Sequence, residues 1–282
     1  MAEDLSYSDY QPEHFDAVVS TCLHVATVLG ALLDDIVVVG GLVPSLLVRD
    51  KAGGVERHPG TMDLDLGLDL AVLAEERYAA ISDQLRRAGF TVDVNERGRK
   101  TFYRWRSPEG TPRVTIDFLI PAGGVRKEQR VAKFEGDFGA LATQGLQLAK
   151  RDCRKVTISG RTPNGARAKR DIWVCGPGAF VVLKARAIRG REKQKDAYDL
   201  YYVLQHYGAG VEEIAAALTP LLDDADAREA LEWLAEDFAE IDSLGPLRTA
   251  LFRYRTPDDE LQADVHDLVR SLLALVKGGR LV

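Results

Sequence analysis

The 282-residue chain is short of several things, and each shortage excludes something. Its three cysteines, Cys22, Cys153 and Cys175, stand far apart with no CxxC spacing. They give neither a disulfide framework nor a zinc site and suit a reducing cytosol. No uninterrupted apolar run approaches the roughly 18 residues of a membrane span, so no membrane partner is expected. The opening Met1-Ala2-Glu3-Asp4 is acidic where an export signal is basic and then apolar, which points to a cytoplasmic protein. The five histidines, His14, His24, His58, His206 and His266, show no metal-ligand spacing. His58, in the loop before Thr61, is within reach of a phosphate but reads as an ordinary satisfied histidine. Neither the Gly-Lys-Ser/Thr of a Walker loop nor a GxGxxG fingerprint occurs. There is no internal repeat and no low-complexity tract.

What is present is ordinary in bulk and uneven in distribution. Hydrophobic residues make up 46% and charged residues 28%, enough to build a sizeable core, and the length suits about two domains. The net charge of −6 conceals a basic middle: Arg97 to Lys195 holds 24 Lys and Arg against 8 Asp and Glu, leaving 13 against 35 elsewhere. A field of that sign attracts polyanions such as nucleic acid or nucleotide phosphates. Tyr103 and Trp105, interleaved with Arg104 and Arg106, suit base stacking.

Hydrophobic periodicity predicts a helix from about His14 to Leu33, a buried strand Ile36 to Val39, the turn Gly40-Gly41, and a second short helix over Leu42 to Val48. A Gly-rich loop covers Asp50 to Gly60. Met62 to Leu70 alternates, with Asp63, Asp65, Gly67 and Asp69 on one face and leucines on the other. A helix over Ala74 to Ala88 and strands over Thr91–Asn95, Thr101–Arg106 and Arg113–Ile120 follow. Lys155–Ser159 and Asp171–Val174 pair as a hairpin around Pro163-Asn164-Gly165. Beyond Gly176 the pattern is helical over Ala179–Ile188, Lys195–Gln205, Val211–Leu222, Ala225–Ile241 and Asp258–Val276. The expected organisation is an α+β domain over residues 1–175 and a helical domain over 176–282.

The residues that suggest chemistry fall in both parts. Asp63 and Asp65 project from one strand face, where two like charges repel unless a cation offsets them. A hard ion such as Mg²⁺ takes such oxygens and shares them with substrate phosphates. Asp117 lies inside the apolar strand Val114 to Leu119 and needs a partner if ionised. Three carboxylates on neighbouring strands could hold two metals about 4 Å apart for in-line phosphoryl transfer. Gly40 and Gly41 let backbone approach a ligand closely. Lys184, within the apolar run Phe180 to Leu183, points at something anionic, and Asp196 and Asp199 share a helix face.

Gly40-Gly41, a helix, Thr61-Met62-Asp63-Leu64-Asp65 and a later strand Asp together resemble the polymerase-β-type nucleotidyltransferase superfamily. The stretch Val182-Leu183-Lys184-Ala185-Arg186-Ala187-Ile188, a basic spacer, and Lys195-Asp196-Ala197-Tyr198-Asp199-Leu200-Tyr201-Tyr202 is similar to the AbiEii/AbiGii toxin family. The resemblance covers about Val37 to Leu204. It implies a polymerase-β-like domain, a mixed sheet flanked by helices, followed by a helical C-terminal domain that contributes Lys184 and Asp199 to one active site. It implies metal binding by Asp63 and Asp65, with Asp117 as the superfamily's third carboxylate. Gly40, Gly41, Thr61 and Lys184 would bind the nucleotide, and Asp199 would activate the acceptor or orient Lys184. The activity implied is Mg²⁺-dependent transfer of NMP from an NTP to a hydroxyl, with RNA such as a tRNA 3′ end as acceptor, in a toxin held in check by an antitoxin protein. Two departures from the family stand out: Gly41 is followed by Leu42, Val43 and Pro44, and 21 residues separate Gly41 from Asp63. Two alternatives keep parts of this pattern. One is a small-molecule acceptor of the antibiotic type, which the basic middle disfavours. The other is a decayed transferase that only binds nucleic acid or a partner protein.

Overall fold

A computed structural model describes residues 5–48, 54, 56–68, 75–124, 130–134 and 136–278. Asp69 and Leu70 of the alternating segment, Ala74 at the head of the next expected helix, and most of the Gly-rich loop before Glu56 lie outside the described residues. The architecture is α+β, with a mixed nine-stranded sheet and ten α-helices among the described residues. The chain divides into two compact units. A sheet unit comprises Pro12–Leu42 and Gly60–Cys175; a helical unit comprises Met1–Gln11, Val43–Pro59 and Gly176–Val282.

In the sheet unit, α1 (Pro12–Leu29) runs into a 3₁₀ turn at Gly30–Asp35 and then β1 (Ile36–Val39), whose four β-branched residues are all buried. β2 (Asp63–Leu68) pairs antiparallel to β1 and parallel to β5 (Thr115–Pro121). α3 (Glu75–Arg87) leads to β3 (Thr91–Val94) and β4 (Lys100–Arg106), an antiparallel pair. β4 pairs with the first half of β5, and β7 (Gly139–Thr143) with its second half. β6 (Val131–Lys133) pairs with β7, and α4 (Gln147–Arg151) precedes the ribbon β8 (Cys153–Arg161) and β9 (Arg167–Cys175). The principal strand order is β3-β4-β5-β2-β1-β9-β8. β6, β7 and α4 have no counterpart in the sequence reading: three to five residues are too few to show a period.

The stretch Pro12–Asp35 holds no uninterrupted apolar run of membrane-spanning length, but with a mean hydropathy of 1.7 over its best window it is long and apolar enough to cross a membrane by length and composition alone. In the fold 44% of that window is buried. Val18, Cys22, Leu23, Val25, Ala26 and Leu29 are buried, and α1 packs on β8 and β9.

The helical unit contains α2 (Val43–Leu47) and, after the sheet, α5 (Pro177–Gly190), α6 (Lys195–His206), α7 (Val211–Leu218), α8 (Ala225–Asp237), α9 (Leu244–Tyr254) and α10 (Asp259–Gly278). Tyr198 and Tyr202 of α6 and Phe252 of α9 form an aromatic core against which Tyr7, Tyr10 and Tyr201 pack. α5 approaches α7 so closely that a Cβ on Gly178 would lie 2.7 Å from the backbone of Ala217. A Gly178→Ala substitution therefore forces the two helices apart. It is expected to destabilise the protein by about 1–3 kcal/mol, read as a lowered midpoint in chemical denaturation with the slope unchanged.

Candidate functional site

Strand register gathers one set of the expected residues. Asp63 and Asp65 leave β2 on the same face, and both are half-buried between buried leucines. Across the parallel pairing Asp63 lies beside Thr115 and Asp65 beside Asp117; across the next pairing Asp117 lies beside Arg104. The row Arg104, Asp117, Asp65, Val39 thus runs across four strands on one face. Further along that face, beyond Asp65, Leu146 packs over Gly67.

Asp117 has found its partner. The Arg104 guanidinium donates from Nε to Oδ1 and from Nη2 to Oδ2, each at 2.6 Å, a two-pronged charge-assisted pair. These hydrogen bonds, and more weakly the charge of Asp63, push Arg104 further above its ordinary range. Thr61 is buried, and its hydroxyl donates to Asp63 Oδ1 at 2.6 Å, so it fixes that carboxylate. Gly40 adopts φ +72°, and the space its Cβ would fill is taken by Asp65, whose Oδ2 would be 1.9 Å away. Gly40 and Gly41 belong to a 3₁₀ turn, and the α2 helix after it is only five residues long. The donor chemistry fits a hard divalent cation held by Asp63 and Asp65, with Asp117 committed to Arg104. Among the described residues no group of three or more His, Cys, Asp or Glu side chains is gathered for a metal.

The helical unit brings together the other set. Lys184 Nζ of α5 donates to Asp196 Oδ1 at 2.7 Å and to Asp199 Oδ2 at 2.6 Å, both on α6. Lys195 Nζ donates to Asp199 Oδ1 at 2.5 Å, and Arg191 holds Asp196 with two prongs at 2.6 and 2.8 Å. His58 Nε2 lies 2.9 Å from Asp199 Oδ1, while its Nδ1 lies 3.3 Å from the Ser45 hydroxyl. The long segment between Gly41 and Asp63 is what supplies His58 and Ser45 to this unit. The pair Lys195–Asp199, readable from sequence as a solvated i,i+4 contact, is buried.

Three cations thus face two carboxylates, and burial sharpens the interactions of Lys184 and Lys195, while Arg191 reaches Asp196 from an exposed position. Burial alone would raise the Asp199 carboxyl, but the Lys184 and Lys195 ammoniums outweigh it and hold Asp199 far below the usual range. Burial pulls both lysines down; Asp196 and Asp199 reverse this for Lys184, which ends above its ordinary value, whereas Lys195 stays lowered. Burial pushes the His58 imidazole down to about 4, with Lys195 adding to the effect, so the ring is neutral at pH 7. A neutral ring donates one N–H, and Asp199 is the acceptor that Nε2–H would meet.

Of the expected site residues, Gly40, Gly41, Thr61, Asp63, Asp65 and Asp117 belong to the sheet unit, and Lys184 and Asp199 to the helical unit. Trp105 does not offer a stacking face: it is fully buried, with the Arg86 guanidinium 5.5 Å and the Phe138 ring 6.1 Å from its ring. Sequence reasoning missed Arg104 and His58 as partners. Arg104 becomes legible only once the β4–β5 register is known, and nothing near His58 marks it as the neighbour of a residue 141 positions away. No protein-family model matches the chain, and no curated protein matches its sequence.

Two outcomes follow from this geometry. Between pH 6.5 and about 4 the unfolded chain protonates His58 while the folded chain resists it, so stability falls as pH is lowered through that window. The loss is of order 3 kcal/mol across the full window. His58→Gln removes it, so denaturation midpoints of the two proteins should converge on acidification; a pH-independent gap would exclude a buried neutral imidazole. Gly40→Ala strains a left-handed backbone by about 1–2 kcal/mol and displaces the Asp65 carboxylate. The variant should melt lower and lose any Mg²⁺-dependent rise in melting temperature that the parent shows.

Proposed function

We propose that the protein is a Mg²⁺-dependent nucleotidyltransferase that moves a nucleoside monophosphate from a nucleoside triphosphate to a hydroxyl of RNA. The proposal places it with the polymerase-β-like enzymes and, through the Lys184 and Asp199 motifs, with the AbiEii/AbiGii toxin type. The observation that carries it is the presentation of Asp63 and Asp65 on one face of β2, with the Thr61 hydroxyl on the first and Gly40 making room for the second. Two adjacent carboxylates repel each other, and a divalent ion shared with phosphate oxygens removes that cost. When bound, Mg²⁺ supplies charge neutralisation at the phosphates.

In the reaction the acceptor hydroxyl gives up its proton to solvent, its oxygen bonds to the α-phosphorus, the bond from that phosphorus to its bridging oxygen breaks, and pyrophosphate leaves with the electron pair. The chain's own contribution is positioning and charge. Asp63 and Asp65 would hold the ion, Thr61 orients Asp63, and Arg104 fixes Asp117 in the same row. The resemblance assigns Lys184 to the phosphates and Asp199 to the acceptor or to Lys184 itself; the 2.6 Å contact from Lys184 Nζ to Asp199 Oδ2 favours the second role. The basic segment from Arg97 to Lys195 favours RNA, with a tRNA 3′ end and control by an antitoxin as part of the same reading.

A second reading, binding without transfer, is favoured by one fact. Asp117 and Lys184 each already have oppositely charged protein partners. Incubation with Mg²⁺, each α-³²P-labelled NTP and total bacterial RNA separates the two. Labelled RNA is expected with the parent, and Asp63→Asn should lower the rate by about 10²-fold or more. Lys184→Met should do likewise and also lower the melting temperature, because it strands Asp196 and Asp199, so activity is compared below that temperature. Absence of label with every NTP, together with a melting temperature raised by Mg²⁺ and NTP, would establish binding alone.

A further inference from the structure

β8 and β9 form a nine-residue-by-nine-residue ribbon at the end of the principal strand order, about 30 Å long at ~3.3 Å per residue. β1 pairs with it only through Trp173 and Val174, so most of the ribbon runs beyond the four-residue β1 strand. Its two faces differ sharply. Val156, Ile158, Ile172 and Val174 are buried on one, where α1 packs and Leu23 reaches Gly160. The other carries the register pairs Lys155–Trp173, Thr157–Asp171, Ser159–Lys169 and Arg161–Arg167. There Lys155, Arg161, Arg167 and Lys169 are exposed, and Trp173 is half-buried.

Several other cations of the sheet unit are paired with acids. Arg77 has Asp35, Lys100 has Asp137, Arg104 has Asp117 and Arg106 has Asp93. Lys155, Arg161, Arg167 and Lys169 have no carboxylate partner among the described residues, and the one acid on their face, Asp171, accepts a hydrogen bond from Thr157. In place of an acid, Lys155 Nζ lies 4.9 Å from the centre of the Trp173 ring, and Lys150 Nζ lies 5.6 Å from it. An exposed ammonium over an indole is held more weakly than a stacked base, so a base can take the ring face while the lysines move to phosphates.

We propose that this face of the β8–β9 ribbon is a docking surface for single-stranded RNA, with Trp173 as its stacking platform and Lys155, Arg161, Arg167 and Lys169 as its phosphate contacts. A single strand is favoured over a duplex because only unstacked bases can reach an aromatic face. The inference concerns binding and holds whether or not the chain transfers nucleotides.

The test is fluorescence anisotropy of the full chain with a labelled oligouridine of about 20 nucleotides, which spans an ordinary single-strand site size, at a series of salt concentrations. No nucleoside triphosphate is present, so failure here is separate from failure of the transferase reading. Lys155→Gln/Lys169→Gln should reduce the steepness of log K against log salt by about 1.4, the contribution of two phosphate contacts to a single strand. Trp173→Ala should weaken binding about tenfold, and the lysine double variant, which changes only exposed residues, keeps the test sound if Trp173→Ala unfolds. Arg87→Gln/Lys277→Gln removes the same charge at exposed positions outside the basic segment and should leave the slope unchanged. An equal loss in this control, salt-independent binding, or equal affinity for a duplex of the same length would each overturn the proposal.

Discussion

Charge removed from water must be matched, and both units of this protein are built around that requirement. In the sheet unit Asp117 sits on a strand whose other residues are largely apolar, and Arg104 meets it prong for prong across the β4–β5 pairing. In the helical unit Asp196 and Asp199 are covered by Lys184, Lys195, Arg191 and a neutral His58. Removing one member of such a set strands its partners, which is why the identity of every residue in the network is constrained together. Asp63 and Asp65 are half-buried neighbours on a single strand. The proposed transferase reading has a divalent ion offset their mutual repulsion.

The two carboxylate clusters were legible in different ways. Period-two alternation placed Asp63 and Asp65 on one face without any knowledge of their neighbours, because side-chain direction in a strand is a local property. The i,i+3 spacing likewise placed Asp196 and Asp199 on one side of α6. Pairing partners were not legible, since register and tertiary packing are non-local. Asp117 could be read as needing something, but a cation and a metal satisfy that need equally in sequence. Gly40 was readable as a position needing close approach; its φ of +72° and the Asp65 side chain beside it were not.

The basic middle shows how a sum can mislead about its parts. Counted along the chain, Arg104, Arg106 and Trp105 look like the densest nucleic-acid motif. In the fold the arginines are paired with Asp117 and Asp93, and the indole is fully buried. The less conspicuous run in β8 and β9 keeps Lys155, Arg161, Arg167 and Lys169 on an exposed face, because α1 packs on the other side of the ribbon. Which charges remain available is decided by where the acids lie in space, and sequence counting does not carry that information.

The chain passes from one unit to the other after Gln11, Leu42, Pro59 and Cys175. The helical unit is therefore assembled from three separated pieces, and the His58–Asp199 contact closes a loop of 141 residues. During synthesis the segment that bears His58 emerges long before α6, so its imidazole waits while the rest of the sheet unit, Gly60–Cys175, is made. Contacts of that sequence separation slow folding, because closure entropy is lost before they can repay it. The piece from Gly176 onward, taken alone, also lacks the buried ring that Asp199 meets. Order of appearance on the ribosome, as well as final energy, thus shapes how this fold is reached.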